Sequence, residues 1–110
     1  VNLELEVVSL LKGLGWYVVK KGKGFDILAI KRDVVLVIEC KDWNRVICGI
    51  TLRKIVRKLK KEHRKVVREF SSKDVVPVLV CRNKVKDLYR TEPVLVFTFE
   101  EFRNFVTNIF

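Results

Sequence analysis

A chain of 110 residues is long enough for one domain and too short for two, since single domains most often run to roughly 100–150 residues, so one domain over residues 1–110 is expected. Hydrophobic residues at 49% and charged residues at 33% exclude a disordered chain, which could not bury enough apolar surface to offset its ordering entropy. Lys and Arg number 23 against 13 Asp and Glu, a formal charge of +10, and this basic excess points to a polyanionic partner.

No apolar run approaches the ~18 residues that cross a bilayer, and the start VNLELEVV lacks a basic region followed by an apolar core. A soluble, cytoplasmic protein without a membrane partner is expected. The three cysteines, Cys40, Cys48 and Cys81, show neither C-x-x-C spacing nor a neighbouring His pair, so buried free thiols are expected rather than disulfides or zinc. The absence of Gln and Met beside many Lys, Arg and Glu is a bias seen in hyperthermophiles.

Along the chain, Leu3, Val7, Leu10, Leu11 and Leu14 recur at helical spacing behind a plausible cap, Asn2, and Gly13 and Gly15 stop that helix. Trp16–Lys20, Phe25–Ile30 and Val34–Lys41, separated by KKGKG and by Lys31-Arg32-Asp33, read as three strands of an antiparallel meander. The unbroken apolar run Val34–Ile38 predicts a strand buried on both faces, hence a central one. Thr51–Phe70 carries Leu52, Ile55, Val56, Leu59, Val66, Val67 and Phe70 on one face of a helix of about five turns. Val75–Val80 reads as a fourth strand with Pro77 near its start, Asn83–Pro93 as a polar connection and Val94–Phe99 as a fifth strand. Glu100–Phe110 closes as a helix whose Phe102, Phe105, Val106 and Ile109 face the sheet or a partner. The expected class is α/β, a mixed sheet of about five strands flanked by helices in the order α-β-β-β-α-β-β-α.

Side chains at i and i+2 of a strand share a face, so Glu39 and Lys41 project together while Cys40 points the other way. The same face holds Val35 and Val37, where two charges cost stability unless they are paired or bind a metal. In a meander the neighbouring strand brings Asp26 near Glu39, and two converging carboxylates repel unless a hard cation lies between them. Glu4 falls beside the apolar stripe of Leu3, Val7 and Leu11 and can point inward, whereas Glu6 falls off it and is expected to be solvated.

Gly24-Phe25-Asp26 followed by Val37-Ile-Glu-Cys-Lys41, behind a helix bearing Glu4 and a Gly-Trp strand start, resembles the PD-(D/E)XK nuclease superfamily. The likeness is greatest to its small members, the archaeal Holliday junction resolvases and restriction-endonuclease-like proteins. It covers about Leu3 to Lys41 by motif and the remainder by the order of elements. Phe25 stands where the motif has proline, and Lys20, Lys21 and Lys23 stand where resolvases tend to carry Ser. By similarity, Asp26, Glu39 and the Cys40 backbone carbonyl are expected to bind Mg²⁺, with Mn²⁺ able to substitute. Lys41 is expected to be the catalytic lysine and Glu4 an accessory acid. The resemblance also implies a restriction-endonuclease-like fold and a homodimer.

Between Arg53 and Arg68 the long helix carries Arg53, Lys54, Arg57, Lys58, Lys60, Lys61, Arg64, Lys65 and Arg68, opposed only by Glu62. Too few acids stand at i+4 for ion pairs within the helix to balance them. A nucleic acid is therefore the expected partner, which the resemblance makes DNA, branched DNA included, held by Arg53, Lys54, Arg57, Lys58, Lys61, Arg64 and Lys65 and by the loop lysines Lys20, Lys21 and Lys23. His63 reads as a helix-face packing or surface residue, and Trp43 either stacks on a base or seals the edge of the core. The expected function is a Mg²⁺-dependent DNA endonuclease, junction-selective or restriction- and repair-like. The alternative is a non-catalytic nucleic-acid-binding module of the same fold, working as a subunit of a larger enzyme.

Overall fold

Asn2 starts the first helix, α1 (Leu3–Gly13), by accepting the backbone N–H groups of Glu4 at 2.8 Å and Leu5 at 3.3 Å, donors that have no partner within a first helical turn. The structure, a computed structural model, describes residues 2–85 and 90–110. After α1 come β1 (Tyr17–Lys20), β2 (Ile27–Lys31), β3 (Val34–Lys41), α2 (Gly49–Glu69), β4 (Asp74–Cys81), β5 (Leu95–Thr98) and α3 (Phe99–Ile109). This is the expected α/β order, and residues 86–89 of the expected polar connection lie outside the described residues.

The five strands form one mixed sheet in the order β1-β2-β3-β4-β5. The first three are the expected antiparallel meander, with a two-residue turn between Lys31 and Val34 in which Arg32 takes a left-handed φ of 55°. β3 then pairs in parallel with β4, and β4 with β5. A parallel neighbour requires a crossover, and α2 supplies it between β3 and β4. Pro77 falls within β4 rather than near its start, yet it precedes Val78, where pairing with β5 begins, so β4 is still an edge there and the missing N–H is tolerated.

β3 is central, and Val35, Leu36, Val37 and Ile38 are fully buried. Its alternation divides the core in two. Leu36 and Ile38 pack with Leu3, Val7 and Leu11 of α1 and Phe102 and Val106 of α3. Val35 and Val37 pack with Leu52, Val56 and Leu59 of α2. The aromatic residues of the last helix largely close this chain's own core: Phe105 lies against Phe97 and Phe110, and Phe110 meets Trp16 edge-on at 5.6 Å. Ile109 stays exposed. Among the described residues no helix is long and apolar enough to cross a membrane.

Candidate active site

Asp26 lies just before β2 rather than within it, and its N–H donates to the Ile38 carbonyl at 3.0 Å, adding one rung to the β2–β3 ladder. One step further β2 no longer offers a backbone acceptor, and the Asp26 carboxylate takes its place by accepting the Cys40 N–H at 2.8 Å. That bond holds the carboxylate against the end of β3, where Glu39 is buried on the α2 side with only 9% of its surface exposed. Lys41, two residues on and on the same face, places its Nζ 3.0 Å from Glu39 Oε2.

Burial pushes the Glu39 carboxyl above its usual value; the Lys41 hydrogen bond opposes this, while the negative charge of Asp26 and a hydrogen bond to it add to the rise. Two carboxyls therefore sit in one another's field beside a single ammonium. The donor set fits a small hard cation: Mg²⁺ is commonly held by one or two carboxylates with its other positions left to water and phosphate oxygens. Among the described residues no group of three or more His, Cys, Asp or Glu side chains is arranged to hold a metal, so these two carboxylates are the side-chain donors on offer.

The Cys40 side chain turns to the other layer and packs against the α1–α3 core. Its thiol is pushed up first by burial and then by the charges of Asp26, Glu4 and Glu39, as for an inert buried cysteine. The same three acids thus gather around one strand end. Glu4 is half-buried there and pairs at 3.6 Å with Lys20, which is the last residue of β1 rather than a loop lysine. Glu6, expected to be solvated, instead accepts from Arg82 at 2.8 Å, because the C-terminal end of β4 lies within its reach.

α2 covers the site. Ile55, Lys58 and Leu59 enclose a cavity of about 40 Å³ with Gly24, Glu39 and Lys41. A second cavity of about 140 Å³ runs outward between Lys58, Lys21, Lys23, Asp26 and Glu39. Beyond it Lys65 and Glu62 face the lysine loop across a cleft of about 360 Å³. Gly24 has φ +82°, a left-handed backbone that residues with a Cβ rarely adopt, and the end of the Glu62 side chain lies over it.

The expected basic residues therefore divide. Lys21, Lys23 and Lys58 converge beside the carboxylates, and Lys65 lies further out along the same cleft, paired with Glu62 at 3.4 Å. Arg53 and Arg57 line a separate cleft on the opposite flank of α2. Lys54, Lys61 and Arg64 are exposed on α2 and line neither. His63 bonds the Val75 carbonyl through Nε2 at 2.9 Å, a packing role on the helix face. Trp43 is half-buried against the α2-side core, with the Lys41 ammonium 5.3 Å and the Arg45 guanidinium 4.7 Å from the centre of its ring, so its π face meets both cations. Cys81 is buried and Cys40 half-buried as free thiols, but Cys48 is exposed because it sits at the cap of α2, outside the core.

Sequence reasoning missed Asp42 and Arg82. The Arg82 backbone N–H donates to the Lys41 carbonyl at 3.2 Å, and its guanidinium reaches Asp42 Oδ1 and Glu6 Oε2, each at 2.8 Å. Asp42 Oδ2 accepts the Leu3 N–H at 3.0 Å. The Arg82 hydrogen bond, followed by that of Leu3, holds the Asp42 carboxyl below its usual value. The clamp ties the first turn of α1, which carries Glu4, to the strand end that carries Glu39 and Lys41. Its only sequence signal is Asp42 directly after the lysine, since Arg82 comes alongside only through the parallel register that pairs Lys41 with Cys81.

No family model matches the chain, and no curated protein matches it. Among solved structures it is similar to a protein of unknown function, AF1548, with a TM-score of 0.63 and 16% identity over 86% of this chain. The chain spans 57% of that protein's length. The likeness is one of fold.

Proposed function

We propose that the protein is a Mg²⁺-dependent DNA endonuclease of the PD-(D/E)XK type, hydrolysing phosphodiester bonds in branched DNA or in restriction- and repair-like fashion. One observation carries this reading: two carboxyls, Asp26 and Glu39, meet beside Lys41 at the end of a buried central strand and open toward Lys21, Lys23 and Lys58. Asp26 and Glu39 would hold the metal, with the Cys40 backbone carbonyl as the third expected donor. Bound there, Mg²⁺ supplies Lewis-acid polarisation of a phosphodiester and a lowered pKa for water.

The chain's own residues do the rest. Lys41, already within bonding distance of Glu39, donates to the developing negative charge or orients the attacking water. Trp43 over the lysine and Leu59 beside it confine the ammonium to the site. The loop lysines and Lys58 draw the phosphate backbone across the carboxylates. Glu4, held by Lys20, supplies accessory negative charge at the same strand end. Assembly as a homodimer in the cytoplasm is part of the proposal, and light scattering of the purified protein tests the dimer.

The test is cleavage of end-labelled four-way junction, flap, single-stranded and linear duplex DNA with Mg²⁺, Mn²⁺ or EDTA, beside Asp26→Ala and Lys41→Ala. Metal-dependent cuts lost in both variants are expected, and full cleavage by either variant would refute the assignment. Symmetric nicks confined to the junction indicate a resolvase; cuts in linear DNA indicate a restriction- or repair-like enzyme. The pairing of Lys41 with Glu39 favours a second reading, a non-catalytic nucleic-acid-binding module in which lysine rather than metal neutralises the acid. Calcium titration separates the two, because a metal site gains DNA affinity from a non-catalytic hard cation and the module does not.

A further inference from the structure

We infer a second nucleotide-binding cleft on the flank of α2 that faces away from the acid and lysine site, built to hold a segment of the polynucleotide distant from the scissile bond. The inference rests on nucleic acid being the partner and not on cleavage. The cleft has a volume of about 300 Å³, at the low end for small-ligand pockets, and shares no lining residue with the cavities at Asp26 and Glu39. Its floor is Leu52 and Val56, both buried; Arg53, Arg57 and Lys60 line it from α2, and Gly49, Arg90 and Thr91 complete it.

Arg53, Arg57 and Lys60 stand at i, i+4 and i+7 on one helix flank. Among the described residues none of the three has an acidic partner within ion-pair distance. Their i+4 neighbours are Arg57, Lys61 and Arg64, all cations, an arrangement that destabilises a helix by like-charge repulsion. An anion at the rim relieves that repulsion, and guanidinium forks match phosphate geometry.

The floor narrows the ligand further. Free phosphate gains nothing from Leu52 and Val56, whereas a nucleotide unit lays its base or sugar on them and its phosphate on the arginines. No acidic side chain lines the cleft among the described residues, so nothing there recommends it to a cation. With Lys58 and Lys65 gripping on the other flank, the two basic tracts lie on opposite sides of one helix, about 10 Å across. A strand crossing α2, or two arms of a branched substrate, reaches both.

The experiment measures binding of an end-labelled oligothymidylate by fluorescence anisotropy in EDTA, where no metal-dependent cleavage occurs, over a range of salt. Arg53→Glu/Arg57→Glu is compared with Lys12→Glu/Arg103→Glu, an equal charge change at exposed positions of α1 and α3. The cleft variant is expected to lose about tenfold or more in affinity, and its salt slope to fall by about 1.4, the equivalent of two single-strand phosphate contacts. The control is expected to lose less than about threefold. Displacement by thymidine monophosphate identifies a site that also takes free nucleotides; failure of the monophosphate to displace the oligonucleotide identifies a strand tract, and either supports the cleft. Equal affinities of the two variants, or no binding by the wild type, overturn it. Absence of metal-dependent cleavage by the wild type sinks the nuclease reading and leaves the cleft standing, so the two fail separately.

Discussion

The two faces of β3 run side by side through the centre of the sheet and end differently. Toward α1 and α3, Leu36 and Ile38 are followed by Cys40, a protonated thiol in apolar packing. Toward α2, Val35 and Val37 are followed by Glu39 and Lys41. An apolar residue at position 39 would gain burial energy, whereas a buried carboxylate costs desolvation that one ammonium only partly returns. The first face is scaffold. The second gives up stability at its last two positions, and that is where a proposed site belongs.

Substitutions on each face sharpen the contrast. The largest expected effect is from Ile38→Ala, which opens a cavity under α1 and lowers stability by about 3 kcal/mol in urea unfolding. Lys41→Ala is expected to cut Mg²⁺-dependent cleavage about 100-fold while moving the urea midpoint far less than Ile38→Ala does. Glu39→Gln removes the buried charge and leaves Lys41, a quarter exposed, to be hydrated, so its stability change should stay within about 1 kcal/mol, although calcium-dependent DNA affinity is lost. A large destabilisation by Glu39→Gln would make the carboxylate part of the scaffold and erase the distinction.

Two smaller effects probe the margins of the comparison. Arg82→Ala frees Asp42 and Glu6 from their shared partner; it is expected to lower the urea midpoint slightly and to slow cleavage without weakening DNA binding in calcium. The Cys81 thiol is pushed up to about 12, chiefly by burial and in spite of nearby Lys41, whereas an unfolded thiol ionises near 9. The folded state keeps its proton longer, so stability falls as pH rises from about 9 towards about 12, and Cys81→Val should flatten that part of a urea midpoint profile.

Much of this was legible in one dimension. The run Val34–Ile38 identified a central strand because burial on both faces demands continuous apolarity, and all four residues from Val35 to Ile38 are fully buried. Period two put Glu39 and Lys41 on one face, and they pair at 3.0 Å. Glu6 was misjudged, since helix angle measures distance from the apolar stripe but not what a neighbouring strand brings up, here Arg82. The basic residues of α2 read as one surface for the same reason. Composition counts charges, and only the packing of Leu52, Val56 and Leu59 sets which flank meets the lysine loop.

The sequence by itself determined the order of elements, the central strand, the amphipathic span of α2 and the shared face of its candidate acid and lysine, because each depends on a backbone period carried by local residues. The tertiary structure decided the rest: the Asp26 carboxylate on the Cys40 N–H, Glu62 against Gly24, the clamp from Arg82 to Asp42 and Glu6, and the division of α2 into two basic flanks. Those contacts join residues far apart in the chain. A period fixes which face a side chain is on, and only the packed helix rotation and strand register fix what that face meets.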